Sequence, residues 1–289
     1  MDIDLIVVPY DSALRADRMG AGPLHLLQSG LASQLEAAGH RATIHWVELP
    51  PGFRATEIAG TFELAASVAR RVSATIEAGA FPLTLSGNCA PAALGSVGGL
   101  HGRSNVFWFD AHGDFNTPDT TRSGFLDGMA LATVTGRCWA GLALAIPGFD
   151  PVAEGNVTTI GVRDLDADEA AALETSAVRR IGVHTMRTDL LHAVAGTDAI
   201  RKPAYLHLDL DVLDPGEGRM NQFAVPGGLD FAELQWALAT IADGARIKAA
   251  ALTAFDPAID VSGQAARAAV RIALAVIDAV AHRGHSGHG

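Results

Sequence analysis

Val106-Phe107-Trp108-Phe109-Asp110-Ala111-His112-Gly113-Asp114 sets four apolar residues directly before three polar ones at alternate positions. In extended chain, residues two apart face the same side, so Asp110, His112 and Asp114 can converge on one point. A short unbroken apolar run of this kind suits a strand buried on both faces. Tyr205-Leu206-His207-Leu208-Asp209-Leu210-Asp211 repeats the pattern, with Asp209 and Asp211 on one face and Asp214-Pro215 closing a turn. Similar runs occur at Ile3–Val8, Ala42–Val47, Pro82–Leu85, Val157–Ile160, Val178–Val183 and Ala249–Phe255, which with Asn105–Phe109 and Ala204–Leu208 makes eight candidate strands. Helical patterns fill most gaps, at Pro23–Ala38, Ala55–Ala78, Pro91–Gly98, Phe231–Ala242 and toward the C-terminus. Strands alternating with helices predict an α/β fold, a mainly parallel sheet between two helix layers. In such sheets the active groups gather at the carboxyl ends of the strands.

Composition narrows the function classes. The chain has 289 residues, 49% hydrophobic and 18% charged, enough for a sizeable core. Its 21 Lys and Arg against 32 Asp and Glu give a net charge of −11, which argues against nucleic acid and an anionic membrane surface as partners. The two cysteines, Cys89 and Cys138, do not form a disulfide framework, and Cys138 reads as core packing. The stretch from Ala265 to Ala281 is interrupted by Arg267, Arg271 and Asp278, and Val270, Leu274 and Ile277 share one face, so it reads as an amphipathic helix. A cytoplasmic protein of one domain over residues 1–289 is expected. Its histidine-bearing end, from about 283 to 289, reads as a frayed tail.

Carboxylates directly after buried strands are costly unless a cation offsets them. Four same-face aspartates (Asp110, Asp114, Asp209 and Asp211) and the imidazole of His112 are a ligand set for hard or borderline divalent ions such as Mn²⁺. Separate N-caps and turn aspartates are the ordinary alternative for any one D-x-D triplet. Two such clusters on different strands favour the metal.

These signatures, D-A-H-G-D and D-L-D-x-x-D-P, resemble those of the arginase (ureohydrolase) family. Gly20-Ala21-Gly22-Pro23, Ser86-Gly87-Asn88-Cys89 (where the family has G-G-D-H), Asn116-Thr117-Pro118, Ser123-Gly124 and Gly161-Val162-Arg163-Asp164-Leu165-Asp166 extend the likeness over nearly the whole chain. The resemblance implies a three-layer α/β/α domain with a central eight-stranded sheet. It implies two manganese ions held by Asp110, His112, Asp114, Asp209 and Asp211. A hydroxide shared by two divalent cations would attack a guanidino carbon, releasing an amine such as ornithine and a urea. Asp114 would orient it and relay its proton to the leaving amine. Asn116 and Ser123 match residues that hold an α-carboxylate, and Asp166 one that holds an α-amino group. Ordinary loop and turn chemistry is the alternative for all three.

Three positions depart from the family pattern. Cys89 replaces a metal-binding histidine; a thiolate is a softer ligand than Mn²⁺ prefers, which opens the site to other divalent ions. The alternatives are a neutral packed thiol, or a nucleophile at a helix start. The second of these lacks the glycine pattern of a nucleophile elbow and leaves the aspartates unexplained. Asp127 replaces a histidine thought to shuttle protons; it either takes over that catalytic role or caps the helix starting at Gly128. Ala254 stands where arginases grip the guanidinium with a glutamate, and Asp256, two residues on, is the candidate replacement. All three departures lie around the metals and the distal end of the substrate, while the amino-acid grip is intact. The expected substrate is therefore an arginine-like amino acid, arginine or Nω-hydroxyarginine. A small branch of the family, the Nω-hydroxy-L-arginine amidinohydrolases, likewise looks to carry a cysteine in that segment. The competing expectations are a ureohydrolase for another guanidino compound and a metal-stabilised amino-acid-binding protein without turnover. Family members are frequently oligomers, so a homo-oligomer is compatible with the reading.

Overall fold

The computed structural model describes residues 1–102, 104–195 and 203–286. Its centre is one sheet of eight parallel strands. In chain order they are β1 Asp2–Val8, β2 Arg41–Trp46, β3 Phe81–Ser86, β4 Asn105–Phe109, β5 Val157–Ile160, β6 Arg179–Ile181, β7 Pro203–Asp209 and β8 Arg246–Thr253. All eight candidate runs are strands. Across the sheet the order is β2-β1-β3-β8-β7-β4-β5-β6, so the last strand in sequence lies in the middle of the sheet.

The apolar runs lack polar alternation because both faces of the sheet are covered. On one face Leu83, Leu85, Phe107, Phe109, Leu206 and Leu208 pack under α1 Gly22–Gln28, α2 Leu31–Ala37, α8 Met186–Ala195, α9 Phe231–Gly244 and α10 Gln264–Ser286. On the other, Ile6, Val8, Val106, Trp108 and Tyr205 pack under α3 Glu57–Glu77, α4 Cys89–Gly99 and α5 Ala130–Val134. Two short helices, α6 Ala140–Ala143 and α7 Ala167–Thr175, lie between β4 and β6 in sequence. The helix expected over Pro23–Ala38 is two helices, because Gly30 adopts φ +85° and turns the chain between them. α4 is buried along its whole length. Gly95 and Gly99 permit this, since a Cβ at either would come within 2.5 Å of Val68 or Val72 on α3.

α10 runs to Ser286, through the first part of the segment read as a frayed tail, and residues 287–289 lie outside the described residues. Among the described residues no helix is long and apolar enough to cross a membrane. The adjacent central strands β3, β8, β7 and β4 end at Ser86, Thr253, Asp209 and Phe109, so the turns that follow them bring Cys89, Ala254, Asp211 and Asp110 to one edge of the sheet.

Candidate metal centre

Two sets of side chains meet at that edge. Cys89, Asp110 and Asp209 form one, and Asp110, His112 and Asp211 the other; within each set, one ligand atom from every residue lies within 4.8 Å of the rest. Asp110 is common to both. Its two oxygens are oriented separately: Oδ2 accepts the indole Nε1–H of Trp108 at 2.9 Å and Oδ1 the backbone N–H of His112 at 2.7 Å. Trp108 is held by a ring stack on His207, with centroids 3.7 Å apart. Asp209 accepts the N–H of Asp211 at 2.9 Å, and Asp211 accepts Ala111 N–H at 3.2 Å and the Asn221 amide at 3.1 Å. The Cys89 thiol donates to Asp209 Oδ2 at 3.2 Å and lies 3.1 Å from Thr253 Oγ1.

The charges here work against one another. Burial, then the neighbouring carboxylates, hold Asp209 and Asp114 well above the usual carboxylate range. Burial and the same carboxylates push the Cys89 thiol up as well. Burial alone would lower His112, but its hydrogen bond to Asp110 and the fields of Asp211 and Asp110 outweigh it and raise it to about 9. Crowded, dry anions of this kind are relieved by a cation, and oxygen and imidazole donors with one sulfur make a set that divalent ions accept. The residues present therefore fit a metal centre, and the shared Asp110 suits a pair of ions.

Asp114 lies outside both sets but faces the same cavity, with its backbone at φ +48°. Asp127 does something the sequence did not suggest. Its carboxylate caps α4 rather than the turn that begins beside it, accepting Cys89 N–H at 2.9 Å, Ala90 N–H at 2.8 Å and the Asn88 amide at 3.0 Å. Burial lifts Asp127 to about 7 despite those three donors.

A cavity of about 300 Å³ opens above the cluster, and Asp114, Asn116, Ser123, Asp127 and Asp166 all line it. Ser123 is exposed at its mouth, and Asn116 is buried with its Oδ1 accepting the Thr120 hydroxyl at 3.0 Å. Asp166 is the N-cap of α7. Asp256 does not line this cavity: it faces a second one of about 210 Å³, where its Oδ1 accepts Ala258 N–H at 2.9 Å. The backbone explains the separation. Ala254, which does line the metal cavity, sits at φ +65°, so the two-residue alternation of an extended chain does not hold past it.

Several residues of the site were given no role in the sequence reading. Asn221 donates both to Asp211 and to the carbonyl of Ala254 at 2.8 Å, tying two strand ends together. Glu169 reaches from α7 to accept Phe115 N–H at 2.8 Å, steadying the chain after Asp114. Arg163 donates to six backbone carbonyls, those of Gly161, Asp211, Val212, Leu213, Val225 and Pro226, and so fixes the loop after β7.

Comparison with known proteins supplies the family and agrees with the fold. The sequence profile of the Arginase family matches residues 1–278. The arginase of Brevibacillus brevis is 32% identical over 298 residues, covering 95% of this chain and 97% of that one. The crystal structure of arginase from Bacillus cereus superposes with a TM-score of 0.83 at 26% identity, covering 96% of this chain and 98% of the other. The agmatine ureohydrolase of Thermoplasma volcanium, at 18% identity and a TM-score of 0.73, shares the fold.

Proposed function

Since this chain belongs to the arginase family and is accordingly a hydrolase of C–N bonds in linear amidines, we propose that its substrate is an arginine-like amino acid, arginine or Nω-hydroxyarginine, and that two Mn²⁺ ions serve the reaction. Asp110, His112, Asp114, Asp209, Asp211 and Cys89 hold the metals. When bound, divalent cations supply the Lewis acidity that makes a nucleophilic hydroxide available at neutral pH. The protein's own groups do the rest. Asn116 and Ser123 donate to the α-carboxylate at the mouth of the cavity, and Asp166 accepts from the α-ammonium. Those contacts fix the direction in which the guanidino end enters. Asp114 takes a proton from the attacking water and delivers it to the leaving amine nitrogen. Asp127, at about 7, exchanges protons near neutral pH at the cavity wall. No carboxylate at residue 254 grips the guanidinium, which favours a less basic guanidino group such as an N-hydroxyguanidine.

One observation carries the reading: Cys89 and Asp209 of one ligand set and His112 and Asp211 of the other line the same cavity as the amino-acid-binding candidates. We read residues 1–289 as one domain acting in the cytoplasm, where a reducing environment keeps Cys89 a thiol. The test is amine release by the Mn²⁺-loaded protein from arginine, Nω-hydroxyarginine, agmatine and guanidinobutyrate side by side. Preference for either α-amino acid is expected, with Nω-hydroxyarginine ahead. Preference for agmatine or guanidinobutyrate overturns the amino-acid assignment. Cys89, Asp127 and Ala254 favour a second reading, an amino-acid-binding protein without turnover. Silence on all four compounds, with two metals bound and arginine stabilising the fold, selects it.

A further inference from the structure

We infer that Thr253 and His207 are positioning residues for Cys89: the Thr253 hydroxyl donates to the metal-holding sulfur, and His207 aims that hydroxyl. The inference rests on the role proposed above for Cys89 and adds the buried groups that direct it. His207 lies in β7 between Trp108 of β4 and Ala251 of β8, and Thr253 of β8 lies beside Asp209. Trp108, Tyr205 and His207 are fully buried, and Thr253 nearly so. An imidazole in the dry middle of a sheet is costly unless its nitrogens are satisfied. Both are, since Nδ1 lies 2.8 Å from the Tyr205 hydroxyl and Nε2 lies 3.4 Å from Thr253 Oγ1. The ring stack on Trp108, with planes 15° apart, fixes the direction in which Nε2 points.

Donor and acceptor counting sets the direction of this chain of contacts. A sulfur that holds a metal is a thiolate and accepts hydrogen bonds. Among the described residues its side-chain partners are Asp209 Oδ2 at 3.2 Å and Thr253 Oγ1 at 3.1 Å. An ionised carboxylate has no hydrogen to give, so Thr253 is the donor. Its oxygen then takes a hydrogen from His207 Nε2, and His207 Nδ1 takes one from Tyr205. Every hydrogen from Tyr205 onward thus points toward the sulfur.

The same groups serve the sulfur as a thiol. It then donates to Asp209, and the Thr253 hydroxyl has the Leu208 carbonyl 3.3 Å away. Rotation of one hydroxyl separates the two arrangements, and the sulfur keeps its place in either.

The test follows Co²⁺ binding by the thiolate-to-cobalt absorption and by competition with a chelator. Thr253→Val keeps the size of the side chain and removes the hydroxyl. Its absorption is expected at longer wavelength than that of wild type, because a hydrogen bond to sulfur lowers the energy of the electrons that the band promotes. One Co²⁺ should bind about tenfold more weakly. Thr253→Ser should restore both. In a Cys89→Ala background Thr253→Val should cost nothing further, since the sulfur through which it acts is gone. His207→Phe keeps a ring against Trp108 but donates nothing, and should shift the absorption the same way; the Thr253 variants decide alone if it unfolds. An unmoved absorption in Thr253→Val, or the same loss of affinity without Cys89, overturns the inference. No thiolate absorption in wild type overturns Cys89 ligation itself, and the inference with it. Hydrolysis is not read, so the substrate proposed above stands or falls separately.

Discussion

Replacing Asp127 by Ala should destabilise the protein through a helix 37 and 38 residues away in sequence. The carboxylate satisfies the N–H groups of Cys89 and Ala90 and the Asn88 amide. Loss of an N-cap costs about 1 kcal/mol. Each donor left dry costs a further 1–3 kcal/mol or so, but Asp127 lines the cavity, so water can reach the freed groups and the lower end applies. The net expectation is about 2 kcal/mol. For 289 residues this lowers Tm by about 3 °C. Urea unfolding with a chelator present keeps metal binding out of the comparison. The pH dependence has a definite sign. Asp127 is raised to about 7 in the folded state, against about 3.9 unfolded. Between those values the folded chain holds a proton that the unfolded chain has released, so wild-type stability falls as pH rises toward 7. The gap between wild type and Asp127→Ala should therefore narrow from pH 5 to pH 7.5. Hydrogen exchange at the Cys89 and Ala90 amides should quicken in the variant. A difference under about 0.5 kcal/mol at pH 5, or a gap that widens with pH, would refute the capping argument.

Two further expectations concern the metal centre. Because Asp110 belongs to both ligand sets, Asp110→Asn should reduce bound Mn²⁺ from two equivalents to less than one, whereas Cys89→Ser should weaken one site only; with Co²⁺ bound, wild type should show a thiolate-to-cobalt absorption that Cys89→Ser lacks, and its absence from wild type would count against sulfur ligation. Arg163→Ala removes donors from six carbonyls around the loop after β7, so it should cost about 3 kcal/mol and speed metal loss to a chelator, and Lys should rescue little because an ammonium cannot reproduce the planar fork; an unchanged rate of metal loss would sink the positioning role.

The sheet was legible because burial on both faces leaves unbroken apolar runs, and a run such as Val106–Phe109 has few other uses. The same logic exposed Asp110, Asp209 and Asp211, since a carboxylate after a dry strand needs a reason. Helix boundaries were less legible: Ser29-Gly30 interrupts an otherwise continuous pattern, and only the positive φ of Gly30 shows that the chain turns there. α7 and α8 are short, and their apolar residues form no strong helical stripe to mark them. Asn221, Glu169 and Arg163 are ordinary residues in sequence, and what they do comes from elements folded beside them. Asp127 and Asp256 illustrate the limit from the other side. The sequence offered Asp127 as a proton shuttle or the cap of its own turn and Asp256 as a grip on the guanidinium, whereas Asp127 caps a helix from an earlier part of the chain and Asp256 faces a second cavity after a left-handed residue.

The order of the strands bears on how the protein comes into being. β8 inserts between β3 and β7, pairing Leu83 with Ala250 and Leu206 with Ala250 on its two sides. Until that strand has been synthesised, β3 and β7 each lack a neighbour, and two apolar edges stand open to mispairing. Contacts so distant in sequence form slowly. The groups that meet around the metals come from the turns after β3, β4, β7 and β8, on both sides of this seam. Closure of the seam is thus what brings Cys89 to Asp110 and Asp209, and a nascent chain truncated before Arg246 should lack that ligand set while keeping Asp110, His112 and Asp211 together on the paired strands β4 and β7.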